Sequence, residues 1–372
     1  MFKRLCQILV SATCLTTFAL TAYAAPAAQD KVVRIYNWSD YMPPALIADF
    51  GKETGIKVVY DVFDSNEVLE AKLFAGNTGF DIVVPSASPF FARQIKANIY
   101  QPLDKSKLSN YKNLDKSLLE KLQDADPGNQ YGIPYMWGTT GIGINIDKVK
   151  AVLGKDVPLD SWDLIFKPEN ISKLKQCGVA MLDAPSEILS IALNYLGKDP
   201  NSTNPDDYQT TAKDLLMKIR PYVTYFHSSQ YINDLANGDV CVAVGWSGDV
   251  LQAAKRAKES GKGVKVDYLI PKEGTVLFVD MMAIPKDAEH VEDAYAFLNY
   301  IMVPEVIAKA TNYLSYANGN EASMPFISPA IAKNPNIYPP EDVKKKLYTL
   351  KIMPSKIERV MTRTWISIRT GH

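Results

Sequence analysis

Between residues 32 and 85 the chain switches repeatedly between extended and helical patterns, and this alternation limits the fold more than any other feature. Val32-Val33-Arg34-Ile35-Tyr36 reads as a short strand. Pro43-Pro44 suits a first helical turn, Leu46, Ile47 and Phe50 recur at helical spacing, and Gly55 supplies a stop. Val58-Val59-Tyr60-Asp61-Val62-Phe63 is a second strand. Asp64 with Glu67 three residues on has the form of a capping box, and the helix it opens carries Val68, Leu69 and Leu73 on one face. Asp81-Ile82-Val83-Val84-Pro85 is a third strand, short and buried. Strands that alternate with helices predict an α/β domain with a mainly parallel sheet.

The pattern changes after the loop Asp124-Ala125-Asp126-Pro127-Gly128-Asn129. Tyr131 to Ile146 is extended and glycine-rich, as a crossover between two lobes would be. Alternation then resumes through Trp246. Lys255 to Ser260 is helical with Gly261 as its stop, and Val264 to Ile270 and Thr275 to Ile284 are strands able to return the chain to the first lobe. A long helical region, Val291 to Asn312, follows. The length exceeds what one hydrophobic core usually supports, so two lobes are expected. Several crossings between them permit hinge closure, and a cleft would lie at the carboxyl ends of the strands.

Residues 1–24 have the grammar of a signal peptide. Lys3 and Arg4 precede an apolar stretch, Leu5 to Leu20, and Ala22-Tyr23-Ala24 fits cleavage before Ala25. A membrane anchor is the weaker reading, because the stretch is short and diluted by Thr and Ser. Lipidation at Cys6 or Cys14 fits poorly with Ser11-Ala12-Thr13-Cys14. Basic and acidic residues balance at 41 each, which leaves no electrostatic footprint for nucleic acid or anionic lipid. Cleavage would leave two cysteines, Cys177 and Cys241, in an oxidising compartment. One disulfide is expected, with two buried free thiols as the alternative.

Catalytic signals are weak. The histidines are His227, His290 and His372, none at metal-ligand spacing, and nothing near them resembles a nucleophile elbow. His227 reads as a packing or hydrogen-bonding residue. Gly138-Thr139-Thr140-Gly141 lacks the lysine and the strand–turn–helix setting of a phosphate loop. The reading is a binding protein, not an enzyme, with no cofactor and no metal. Four strand-to-helix junctions carry aromatic, acidic or small polar residues: Asn37-Trp38-Ser39-Asp40-Tyr41, Pro85-Ser86-Ala87-Ser88, Asp183-Ala184-Pro185-Ser186-Glu187 and Gly245-Trp246-Ser247-Gly248-Asp249. Taken singly, Asp183 and Ser86 suit helix caps, and Trp38 and Trp246 suit core aromatics. Taken together, four such junctions at strand carboxyl ends point to one shared site.

These junctions also carry a resemblance. Tyr36-Asn37-Trp38-Ser39-Asp40-Tyr41, Asp61-Val62-Phe63-Asp64-Ser65-Asn66-Glu67, Val83-Val84-Pro85-Ser86-Ala87-Ser88, Leu182-Asp183-Ala184-Pro185, Phe226-His227-Ser228-Ser229-Gln230-Tyr231-Ile232 and Asn233-Asp234-Leu235-Ala236-Asn237-Gly238-Asp239 resemble the periplasmic polyamine-binding proteins of ABC importers, the putrescine-binding branch above all. The likeness extends over essentially the whole chain after residue 24. It implies an α/β architecture of the type II periplasmic-binding-protein fold, with two α/β lobes joined by a hinge and the ligand cleft between them. Residues 30–135 and 262–318 would form lobe 1, and 136–261 and 319–372 lobe 2. It implies a ligand set of Trp38, Ser39, Tyr41 and Ser86 from the first lobe, Glu187, Trp246 and Asp249 from the second, and Phe278, Asp280 and Tyr316 completing an aromatic box. Asp249 and Asp280 would pair one ammonium; Glu187, with the Ser39 backbone and Ser86, would serve the other. The implied protein is a periplasmic monomer that binds putrescine or a related polyamine and serves inner-membrane ABC permease subunits. The alternatives are a spermidine or broad polyamine receptor, or a polyamine sensor that does not feed transport. Ser88-Pro89-Phe90-Phe91 departs from the putrescine-binding pattern by one extra residue at the cleft edge. Ser86, in place of a bulky aromatic, favours the diamine pattern.

Overall fold

Three strands set the first part of the fold. In the computed structural model, which describes residues 31–372, β1 (Val32–Trp38) runs parallel to β2 (Lys57–Phe63) in register from Val32 opposite Lys57 to Trp38 opposite Phe63. On its other side β1 pairs with β3 (Ile82–Val83) through Ile35 and Tyr36. The expected signal peptide, with Cys6 and Cys14, lies outside the described residues. Helix α1 (Pro44–Thr54) joins the first two strands. Pro44 opens it, Leu46 and Phe50 bury against the core, and Gly55 ends it at φ +71°, a left-handed conformation that glycine adopts without steric cost.

Helix α2 (Asn66–Ala75) corrects two expectations. Its N-cap is Ser65, whose side chain accepts from the Val68 N–H at 3.2 Å, so Asp64 and Glu67 do not form a capping box. The face it buries comprises Asn66, Leu69 and Leu73, while Val68 is exposed.

The extended, glycine-rich stretch forms one 14-residue strand, β4 (Gly132–Asn145), that belongs to two groups of strands. The second group contains β5 (Val179–Met181), β6 (Tyr225–Phe226) and β7 (Val242–Trp246), with β5 parallel to both neighbours. The chain returns through β8 (Val266–Leu269) and β9 (Leu277–Ala283), and β10 (Ala317–Asn318) follows later. The first half of β4 pairs antiparallel with β9, from Gly132 opposite Ala283 to Thr139 opposite Leu277. Its second half pairs antiparallel with β7 and β8. The sheet is therefore mixed, not mainly parallel. The long crossing strands enter against the direction of the βαβ units, which sequence periodicity does not encode. Gly141 shows why this strand is poor in side chains: a Cβ there would lie 2.5 Å from the Leu269 carbonyl oxygen and from the Tyr268 hydroxyl.

The helices that matter for the site follow strands of this second group. They are α3 (Pro185–Tyr195) after β5 and α4 (Ser247–Ser260) after β7, the latter ended by Gly261 at φ +67°. The expected long helix over 291–312 is two helices, α5 (Val291–Ile301) and α6 (Pro304–Leu314). Pro304 has no N–H to continue the first helix, and its fixed φ suits the first position of the second. The last helix, α7 (Ser355–Thr370), packs on α3. Cys177 and Cys241 are joined in a disulfide with their Cα atoms 5.4 Å apart. Cys177 ends a short turn before β5 and Cys241 immediately precedes β7. Closing a loop of 64 residues stabilises the fold by about 4 kcal/mol in the chain-entropy model.

Candidate functional site

The residues that end β1, follow β3 and β7, and sit within β9 converge on one cleft. All ten expected residues line it: Trp38, Ser39, Tyr41, Ser86, Glu187, Trp246, Asp249, Phe278, Asp280 and Tyr316. Phe63, Asp64 and Ser228 complete the lining, although sequence reasoning did not single them out as site residues.

Each carboxylate is held by neutral donors. Asp280 projects from β9 and accepts from the Ser86 hydroxyl at 2.6 Å and the Tyr41 hydroxyl at 2.8 Å. Asp249 lies in the first turn of α4, where the helix dipole favours negative charge. It accepts from the Tyr316 and Tyr231 hydroxyls, each at 2.8 Å. Glu187, in the first turn of α3, accepts from the Thr140 hydroxyl and from the Trp246 indole N–H at 3.1 Å. Ser86 was expected to serve the Glu187 end; its hydroxyl is instead committed to Asp280. Ser86 stands at the N-cap position of the short helix 87–91 but its side chain makes no cap bond, and Asp183 is not the cap of α3, a position held by Ala184. Asp183 accepts from the Trp365 indole at 2.7 Å and pairs with Arg369.

The electrostatic consequence follows from burial. Asp249 and Asp280 are buried and Glu187 half-buried, and among the described residues none of the three has a Lys, Arg or His in ion-pair contact. Desolvation pushes all three carboxyls up to about 7, against the lowering effect of the hydroxyl and indole donors. The cleft thus holds three acids with no cation in contact among the described residues; Arg256, paired with Asp40, acts on Asp249 only as a weaker, more distant charge.

Aromatic rings form the walls. The Trp38 indole N–H donates to the Val84 carbonyl at 2.8 Å, and its ring meets Phe63 at 4.7 Å and Trp246 at 5.2 Å. Tyr41 and Tyr316 stand edge to face at 4.9 Å, with Phe278 6.2 Å from Tyr316. Gly248 makes room for this box: a Cβ there would lie 2.2 Å from the Tyr316 ring. Contacts between the β1–β2 side and the α3–α4 side close the cleft. Arg256 pairs with Asp40 at 2.6 Å, and the Ser186 hydroxyl donates to Glu67 at 3.2 Å. His227 is a hydrogen-bonding residue, its Nδ1 accepting from the Ser229 and Gln230 N–H groups at 3.1 Å.

Comparison with known proteins agrees with this architecture. Residues 45–339 match the family described as bacterial extracellular solute-binding protein. The chain is 60% identical over 345 residues to the putrescine-binding periplasmic protein PotF of Escherichia coli (strain K12), covering 93% of each. It is 58% identical over 371 residues to the putrescine-binding periplasmic protein SpuD of Pseudomonas aeruginosa (strain UCBPP-PA14), covering 100% of each. Among solved structures, one from Listeria monocytogenes superimposes with a TM-score of 0.81 at 33% identity, over 92% of this chain and 100% of that one. The spermidine/putrescine ABC transporter substrate-binding protein PotD of Streptococcus pneumoniae gives 0.72 at 28%, over 92% and 99%. The fold is the type II periplasmic-binding-protein fold, with its cleft at the strand carboxyl ends. The chain belongs to the bacterial extracellular solute-binding proteins.

Proposed function

We propose that the protein captures putrescine in the periplasm and delivers it to the permease of an ABC importer. The observation that carries this reading is the trio Asp249, Asp280 and Glu187, three acids without a cationic partner inside an aromatic box. Putrescine at neutral pH carries an ammonium at each end of a short methylene chain. Burying such charges is costly unless each is paired and hydrogen-bonded, and the cleft supplies what is needed. Asp280 and Asp249 take one ammonium, their remaining lone pairs already oriented by Ser86, Tyr41, Tyr231 and Tyr316. Glu187 takes the other. Trp38, Trp246 and Phe278 cover the methylenes and present ring faces to the cations, each such contact contributing about 0.5–2 kcal/mol. The names of PotF and SpuD support the same ligand.

Residues 1–24 act as the export signal. Residues 30–135 with 262–318, and 136–261 with 319–372, act as the two lobes. Ligand bridges them, and the closed pair presents one continuous surface to the permease. The test is a thermal-denaturation panel on protein unfolded and refolded to remove co-purified ligand, with putrescine, cadaverine, spermidine, spermine and agmatine. A ligand at about 100 times its Kd adds roughly 2.7 kcal/mol of stability. Putrescine is expected to give the largest shift at low concentration; no shift with any of the five refutes the proposal.

A further inference from the structure

The Ser86 hydroxyl has a single proton, and its neighbours decide where that proton points. One of them is Asn66, the buried first residue of α2, whose side chain meets Ser86 twice. Asn66 Oδ1 accepts from the Ser86 N–H at 3.0 Å, and Asn66 Nδ2 donates to the Ser86 hydroxyl at 2.9 Å. The orientation of this amide is forced. A backbone N–H can only donate, so the amide oxygen must face it, which leaves the amide NH₂ facing the hydroxyl. The Ser86 oxygen is therefore an acceptor toward Asn66, and its one proton goes to Asp280 Oδ1 at 2.6 Å.

The surroundings keep this chain of bonds in place. Ser86 and Asp280 are both buried and lie opposite each other in an antiparallel bridge. The Ser86 carbonyl accepts from the Phe91 N–H at 3.0 Å, so the backbone of Ser86 is held at both ends, at the N–H by Asn66. Asn66 has no other side-chain hydrogen bond among the described residues, and it does not line the putrescine cleft. It is also free of a capping role, because Ser65 caps α2. Its side chain is thus devoted to Ser86.

We propose that Asn66 is a positioning residue for putrescine binding: it turns the Ser86 hydroxyl toward Asp280 and so fixes the carboxylate that takes an ammonium. This rests on the putrescine reading of the cleft. Without Asn66 the hydroxyl is free to rotate and the Ser86 N–H loses its acceptor. Asp280 then keeps only the Tyr41 hydroxyl as a fixed donor. Because Asn66 acts through Ser86, its effect on the ligand fades when Ser86 has no hydroxyl to orient.

Titration calorimetry with putrescine on the ligand-stripped protein tests this as a double-mutant cycle of wild type, Asn66→Ala, Ser86→Ala and the two together, with denaturant unfolding to verify that each variant folds. Asn66→Leu is a second variant that refills the volume with no donor or acceptor. Ser65→Ala is the control, since it removes the cap of α2 without touching Ser86. The expected result is a loss of about tenfold in Asn66→Ala and in Asn66→Leu, a loss of no more than about twofold when Asn66→Ala is added to Ser86→Ala, and affinity within about twofold of wild type in Ser65→Ala. Wild-type affinity in both Asn66 variants overturns the proposal. So does an Asn66→Ala loss that is undiminished in the Ser86→Ala background, or a Ser65→Ala loss as large as that of Asn66→Ala, since either makes Asn66 a structural support of α2. A wild type that does not bind putrescine refutes the reading of the cleft, and this role with it.

Discussion

Replacing Asp280 by asparagine should move stability and binding in opposite directions. In the ligand-free fold this carboxyl is buried against Ser86 and Tyr41 with no cation, and its pKa rises from 3.8 to about 7. A shift of that size corresponds to about 4 kcal/mol at 1.36 kcal/mol per unit, an upper figure for the cost of ionising the group in the fold. The folded pKa lies above the unfolded one, so the folded chain holds a proton that the unfolded chain gives up. Stability from this group is full below about pH 4 and is lost as pH rises through about 7. Asparagine cannot ionise, and its amide still fits between two hydroxyls. The ligand-free variant should therefore match wild type at pH 4 and unfold at higher denaturant at pH 8. Binding should do the reverse. Removing one partner of a buried charge pair costs about 3–5 kcal/mol, so putrescine affinity should fall at least 100-fold at pH 8. Denaturant titrations at both pH values and calorimetry at pH 8 give the two numbers. The reasoning fails if Asp280→Asn binds putrescine like wild type, or if it loses stability at pH 8 as an ordinary core substitution does. Misfolding cannot imitate the expected result, because it would lower both quantities.

The other expectations follow from the same geometry. Because Asp249, Asp280 and Glu187 titrate near 7 without ligand and must ionise to pair with ammonium groups, putrescine binding should release protons at pH 6–7 and none at pH 9. Calorimetry in buffers of different ionisation enthalpy reads that release, and affinity should climb from pH 5 to 8. Changing Gly248 to alanine places a methyl 2.2 Å from the Tyr316 ring, which must move and give up its bond to Asp249. Putrescine affinity should drop tenfold or more by the same calorimetry. The double substitution Cys177→Ser and Cys241→Ser should cost about 4 kcal/mol in denaturant unfolding while changing putrescine affinity little, since neither sulfur lines the cleft.

What the sequence revealed of the fold depended on how local each signal was. Helix α1 was legible because Pro44, Leu46, Phe50 and Gly55 act within one segment. The long crossing strand was legible in outline from its glycines, but its direction was not. That direction is fixed by pairing with β7, β8 and β9, each about a hundred residues or more along the chain. The capping box failed for a different reason. Ser65 and Asp64 are both good caps, and the choice between them is made by the path of β2 into α2, not by their chemistry.

At the site, the residues facing the cleft were legible and their supports were not. Trp38 and Trp246 end strands, Ser86 follows β3 and Glu187 opens the helix after β5, so position along the chain predicts that they gather at one end of the strands. Tyr231, which holds Asp249, opens a short helix, and Thr140, which holds Glu187, lies within β4; nothing local in the sequence ties either to its carboxylate. Yet these neutral donors decide how the cleft behaves. A lysine in place of either would satisfy its carboxylate permanently and leave nothing for a ligand ammonium to replace. Hydroxyl donors lower the cost of the buried charge without cancelling it, so each acid stays fixed in direction and still short of a countercharge. The affinity of such a cleft for cations comes as much from the basic residues it excludes as from the acids it contains.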